Sequence, residues 1–299
     1  MKQTILLAIL DGVAMASISF LVAVGLSLIF GIMRILNIAH GSFYAIGAYT
    51  AAALGMWLGG PEASLLTYPI LLIAALMVGI SLGAAIEHGL LRHIYHKEHS
   101  LQILITFGIF MVLEDLQKLV FGVEPYFYDT PLIALGMIEV GGIYYTVYQL
   151  FVLPIMAVSV MLALTFFFNR TRKGKIISAV IEDNETAMNM GVNTRKIYFT
   201  TFIVGAVLAA LGGSLASATT SVVPGIGADA IVLSFAIVAS AGLGHFQGAA
   251  VTSLLIGLAY SFSVHFFNEL SSATPYIVMM VILLIKPYGL FGQAEVKRV

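Results

Sequence analysis

The sequence predicts an all-α, polytopic helical membrane protein with about eight to nine transmembrane helices, one of them discontinuous near residues 31–49. Three observations predict it. Hydrophobic residues make up 60% of the 299 residues and charged residues only 10%, where soluble domains run about 45–50% apolar and about 25% charged. Long apolar runs recur from end to end, with a mean hydropathy of +1.01. The basic residues are gathered into a few connections rather than spread evenly. A water-soluble fold would have too little charge to cover its surface. The even composition argues for one membrane unit over residues 1–299, with no separate soluble domain.

A bilayer crossing needs about 20 mostly apolar residues. Such runs fall near 5–30, 42–58, 65–86, 101–121, 150–168, 199–218, 226–243, 249–267 and 275–290. The first follows a single lysine, Lys2, and is too long for a signal-peptide core. No A-x-A-like cleavage site closes it, so it reads as a retained span. The segment 31–41 is short and polar, and the main connections are 87–100, 122–149 and 169–198.

Lysine and arginine stay on the cytoplasmic side of a membrane protein. The 169–198 connection holds Arg170, Arg172, Lys173, Lys175, Arg195 and Lys196, and 87–100 holds Arg92 and Lys97. Lys286, Lys297 and Arg298 sit near the C-terminus. The 122–149 connection has no Lys or Arg, but does have Glu124, Asp129 and Glu139. Placing 169–198 in the cytoplasm puts twelve of the fourteen basic residues there, with Lys2 and Lys118 as exceptions. Tyr126, Phe127, Tyr128, Tyr144, Tyr145 and Tyr148 cluster on the opposite side. They suit either the headgroup zone or a packed outer loop.

Four features could carry function. The stretch 31–49, GIMRILNIAHGSFYAIGAY, spaces Arg34, Asn37 and His40 three apart beside Gly41 and Gly47. Polar groups and irregular backbone at membrane depth belong where they are buried or line a water-filled path. The alternative is a cytoplasmic turn, with Arg34 at the headgroups and Asn37 as a helix cap. In 169–198, the run from Ile177 to Met190 has helix-forming character. Asp183 or Asn184 is placed to break or cap it, and Gly191 to end it. Such an amphipathic stretch either lies on the membrane or fits a partner's groove.

The 29 glycines allow close helix packing. Gly205, Gly212 and Gly213 punctuate one span, and Gly242, Gly244, Gly248 and Gly257 another region. His88, His93, His96 and His99 could suit a transition metal. Arg92 and Lys97 would repel one, so a wet helix end is the expectation and no metal site is expected. Glu114, Asp115 and Lys118 lie inside a span, with Glu114 and Lys118 four apart and able to pair. Asp11, Asp229, His245 and His265 stand isolated in the sequence.

Net charge is −1 and no nucleic-acid partner is expected. The chain has no cysteine, which excludes disulfides and thiolate metal sites. No G-x-x-x-x-G-K-[ST] loop occurs, so ATP is not bound by that route. Neither H-E-x-x-H nor G-x-S-x-G occurs. Residue types alone reach a polytopic transporter or channel. An autonomous channel or ion-coupled carrier would draw on Glu114, Asp115 and Lys118.

GLSLIFGIMRILNIAHGSFYAIGAY, residues 25–49, resembles the N-terminal signature of the bacterial branched-chain amino-acid ABC permeases of the LivH/LivM type, and is closer to the LivH half. IEDNETAMNMGVN, residues 181–193, is similar to that family's cytoplasmic coupling segment, and IKPYGLFG, residues 285–292, to its C-terminal ending. The chain departs from the family pattern at Ser42 and in SAGLGH, residues 240–245.

The resemblance implies a multi-pass protein of the bacterial inner membrane. It implies a second permease subunit, LivM-like or a copy of this one, a periplasmic solute-binding protein and two cytoplasmic ABC ATPase subunits. ATP and Mg would act on those subunits, and none of the chemistry on this chain. Carried over, Asn37, His40, Gly41 and Ser42 fall near the translocation pathway. Glu185, Ala187, Met188 and Gly191 fall on the coupling helix within 169–198. Branched-chain amino acids, urea, short amides and aromatic acids are all cargo of this family.

Overall fold

In hydrocarbon every backbone N–H and C=O must be satisfied within the protein, which favours helices. All nine apolar runs are helices in the computed structural model, which describes residues 1–58, 65–95 and 97–292. They are α1 (Lys2–Met33), α2 (His40–Leu58), α3 (Thr67–Gly89), α4 (His99–Phe121), α6 (Leu153–Arg170), α9 (Thr194–Ala216), α10 (Ile226–Ala241), α11 (Phe246–Phe266) and α12 (Thr274–Ile285). Short helices α5 (Thr130–Ile133), α7 (Arg172–Glu182) and α8 (Asn184–Asn189) lie in the connections. Five helical stretches among the described residues are long and apolar enough to cross a membrane, while α10 and α12 are apolar but shorter.

Two element ends differ from expectation for local chemical reasons. The helix expected from 199 starts at Thr194, because the Asn193 side chain accepts the Lys196 N–H at 3.0 Å and caps it. The helix expected to reach 290 stops at Ile285, with Lys286 extended. Pro287 follows, and the residue before a proline is steered out of the helical region.

The bundle has a centre and a rim. In α1 and α9, 72% of the most apolar stretch is buried within the protein, against 11% for the stretch that includes α6. An apolar helix that the protein leaves uncovered needs lipid or another apolar surface to cover it. α9 packs on α1, α2 and α3, and α1 also packs on α10 and α11. The closest approach is at Gly213 of α9, where a Cβ would stand 1.9 Å from the Tyr44 carbonyl oxygen of α2. Only glycine permits that contact between backbones. One residue on, Ser214 Oγ donates to the Leu71 carbonyl of α3 at 2.6 Å.

We call the two ends of the bundle basic and acidic after the connections they carry. At the acidic end, residues 122–149 form a built cap rather than a plain loop. It contains α5 and an antiparallel hairpin, β1 (Met137–Val140) with β2 (Ile143–Thr146), the one departure from helix among the described elements. Tyr126 and Val222 exchange backbone hydrogen bonds at 3.0 Å in each direction. Tyr128, Tyr145 and Tyr148 are buried, whereas Phe127 and Tyr144 are exposed. The packed-loop explanation therefore holds for these three tyrosines.

Candidate functional site

The signature stretch breaks where polar residues interrupt the apolar pattern. Arg34 closes α1 in the left-handed conformation, with φ 56°, and its N–H bonds to the Phe30 carbonyl at 2.8 Å. Residues 34–39 leave the helix and turn back into the bundle. The Leu36 carbonyl accepts from Thr106 Oγ1 of α4 at 3.2 Å. The turn bonds His40 N–H to Asn37 O and Gly41 N–H to Ile38 O, each 3.3 Å, then start α2.

Depth follows from one contact. His40 Nε2 donates to the Val22 carbonyl at 3.0 Å. Val22 lies eleven residues before the end of α1, or about 16 Å at 1.5 Å per residue. That is roughly half of a ~30 Å hydrocarbon core. α2 thus begins inside the bundle, and the predicted discontinuity is real. Because Nε2 donates, the Nδ1 of His40 is the bare nitrogen of the neutral ring.

The four signature residues are all buried. Asn37 and His40 are 0% exposed and Ser42 is 2%. Both amide atoms of Asn37, the Nδ1 of His40 and the hydroxyl of Ser42 lack a hydrogen-bond partner within the chain. Asn37 does not cap α2, so the alternative of a surface turn capped by Asn37 is wrong, because the segment re-enters instead of staying at the surface. Gly41 meets α10: a Cβ there would stand 2.2 Å from the Gly227 carbonyl oxygen. Unpartnered buried polar groups are costly, and three of them within six residues form a concentrated polar spot in an apolar core.

The second site lies at the basic end. Thr171 Oγ1 caps α7 by accepting from Gly174 N–H at 3.0 Å. Asp183 then interrupts the helix and caps α8, accepting from Thr186 N–H at 3.0 Å and from its hydroxyl at 2.6 Å. Those two bonds hold the Asp183 carboxyl below its ordinary pKa, the hydroxyl contributing more. Gly191 ends the segment at φ 86°, and Val192 N–H returns to the Ala187 carbonyl at 3.1 Å. Ala187 is buried, while Glu185 and Met188 face outward. Beside α8 opens a cavity of about 660 Å³ lined by Arg92, Arg195, Lys196 and Met188.

The remaining sequence candidates resolve plainly. Lys118 pairs with Glu114 at 3.4 Å and Asp115 at 3.2 Å near the acidic end of α4. The trio is a local cluster with Lys118 and Asp115 exposed, as at a headgroup boundary. His88 accepts from Arg92 at 2.9 Å, and His88, His93 and His99 are exposed. His96, like Lys297 and Arg298, lies outside the described residues. Among the described residues no group of three ligating side chains could hold a metal.

One cluster escaped sequence reasoning. Asp11 of α1 meets His265 Nε2 of α11 at 2.9 Å, and the Tyr145 hydroxyl of β2 donates to Asp11 at 2.8 Å. Burial first, then the Asp11 carboxylate, push the Tyr145 phenol well above its ordinary pKa, so it stays a donor. The charge of Asp11 within an apolar run was the only signal.

The sequence profile of the family described as "Branched-chain amino acid transport system / permease component" matches residues 8–284. The chain belongs to this permease family. Among similar proteins are the high-affinity branched-chain amino acid transport system permease protein LivH of Salmonella typhimurium, 29% identical over 97% of this chain and 96% of that one, and BraD of Pseudomonas aeruginosa, 27% identical over 97% of each. A probable LivH of Methanocaldococcus jannaschii is 26% identical over 95% of this chain and 92% of its own. Among solved structures, a chain of PsaBC from Streptococcus pneumoniae in complex with Fab shares the fold. Its TM-score is 0.50 at 17% identity, covering 92% of this chain and 89% of that one. This permease is thus a multi-pass transport component of the LivH type, and the reading as an autonomous carrier through Glu114, Asp115 and Lys118 gives way to it.

Proposed function

We propose that this permease forms half of the membrane pathway of an ATP-driven inner-membrane importer of branched-chain amino acids or similar small solutes. Its partners are a second permease subunit, two cytoplasmic ATPase subunits that bind ATP and Mg, and a periplasmic solute-binding protein. The observation that carries this reading is α8. A six-residue helix is too short to be stable alone, yet here it is capped at both ends, anchored by Ala187 and turned so that Glu185 and Met188 face outward. A helix held in that way suits a groove on a partner. The basic end faces the cytoplasm and the acidic cap receives the binding protein. ATP shifts the assembly between inward- and outward-facing states by favouring one of them.

The cysteine-free chain allows a direct test. Glu185→Cys should react with a membrane-impermeant maleimide only in broken cells, and Tyr144→Cys in intact spheroplasts. Vesicles carrying all the subunits should take up leucine only with ATP and the binding protein. Inverted labelling, or uptake by the permease alone, overturns the proposal.

The signature residues Asn37, His40, Gly41 and Ser42 mark the path at mid-membrane in this reading. Gly41 sets how closely α2 and α10 meet, and the other three supply the polar groups. His40→Ala should lower ATP-driven uptake ~10-fold, equivalent to about 1.4 kcal/mol, with unchanged recovery of the assembled complex. Normal uptake kinetics would take His40 off the path.

A further inference from the structure

Asp11 and His265 are 254 residues apart in sequence and meet at the edge of a cavity of about 340 Å³ at the acidic end. Its volume lies at the lower end of the range for small-ligand clefts, ~300–1,000 Å³. Side-chain exposures of 39% for Asp11 and 23% for His265 leave both within reach of a solute. Ile18, Leu153 and Leu233 supply apolar wall. No lysine or arginine lines the cavity.

The polar groups are incompletely used. A carboxylate accepts at about four positions, and each Asp11 oxygen has one partner, Tyr145 or His265. The hydroxyl of Ser261, a residue 3% exposed that lines the same cavity, has no partner. A negative charge beside apolar wall, hydrogen-bonded to an imidazole and a phenol and with no lysine or arginine lining the cavity, favours a cation. A lone cation would leave the imidazole unmatched. A molecule bearing both charges close together would match both.

We propose that this cavity is an entry subsite for zwitterionic α-amino acids. The ammonium takes the place of His265 on Asp11, the carboxylate accepts from the ring of His265 and from Ser261, and the aliphatic side chain lies on Ile18, Leu153 and Leu233. The ligand brings equal and opposite charges, so its own net charge is zero, and each end meets a complementary group: the ammonium the Asp11 carboxylate, the carboxylate the ring N–H of His265. Tyr145 keeps Asp11 in position throughout. This subsite rests on the amino-acid reading above and narrows it: uncharged amides have no such match.

The test uses the permease with its partner permease and ATPase subunits in nanodiscs, without the binding protein, and millimolar leucine observed by saturation-transfer NMR, alongside ATP-driven uptake in vesicles with the binding protein added. Leucine should receive saturation from the wild type. Asp11→Asn should weaken its apparent affinity at least tenfold, and 4-methylpentanoate, which lacks the ammonium, should not compete. His265→Gln, which keeps a hydrogen bond to Asp11, should weaken binding with the melting temperature unchanged. Equal saturation in Asp11→Asn and wild type, or competition by 4-methylpentanoate, overturns the subsite while uptake by the wild type leaves the importer standing. Absence of ATP-driven leucine uptake by the wild type overturns the amino-acid reading itself.

Discussion

Gly213→Val is expected to destabilise the tightly packed permease. The substituted Cβ would stand 1.9 Å from the Tyr44 carbonyl oxygen and 2.7 Å from its carbonyl carbon. Both atoms are backbone, so no side-chain rotation relieves the overlap. α2 and α9 would have to part, and the adjoining contact of Gly47 with Ala210, where a Cβ would be 2.5 Å from the Ala210 carbonyl oxygen, would part with them. Overpacking costs about 1–3 kcal/mol and occasionally more, and this position lies at the upper end. Such a loss corresponds to a fall of about 5 °C in melting temperature for a chain of this size. Gly108→Ala on α4 is the control, because a Cβ there meets nothing within 4 Å. Thermal scans of the two purified proteins in one detergent decide the matter, and equal melting temperatures would refute the account of the interface.

Gly191→Val is expected to disconnect ATP hydrolysis from transport. At φ 86° a β-branched side chain is strained, by roughly 1–2 kcal/mol, while the space around it is open. The strain falls on the turn in which Gly191 bonds back to Met188 and Val192 to Ala187, the bonds that close α8. Uptake should fall ~100-fold with the chain still inserted and hydrolysis no longer raised by cargo. Glu185→Lys should act in the same direction without backbone strain, through charge alone. Cargo-stimulated hydrolysis at the wild-type rate in both variants would remove α8 from the coupling role.

Much of this architecture can be read from residue types because hydrocarbon is an unforgiving solvent. Every apolar run became a helix, and the polar residues between Arg34 and His40 marked a true break. Asp183 and Gly191 were legible too, since a cap and a left-handed stop depend on chemistry within three or four residues. What depends on distant partners was not. Asp11 could be flagged as a charge out of place, but nothing in its neighbourhood names His265 or Tyr145. The outer tyrosines fit lipid headgroups and protein interior equally well by type, and only the packed cap assigns three of them to the interior. Asn37 suited a cap by composition, yet the depth of the returning chain gave it another place.

The link from α8 to α9 carries a mechanical consequence. Four residues separate the end of one helix from the start of the other, and Asn193 clamps the junction. α9 in turn leans on α1, α2 and α3 through contacts that glycine and alanine bring to backbone range. A displacement applied to the short helix has only four linking residues to cross before it reaches α9. In the proposed importer the two would act as crank and shaft, carrying motion at the basic end toward His40.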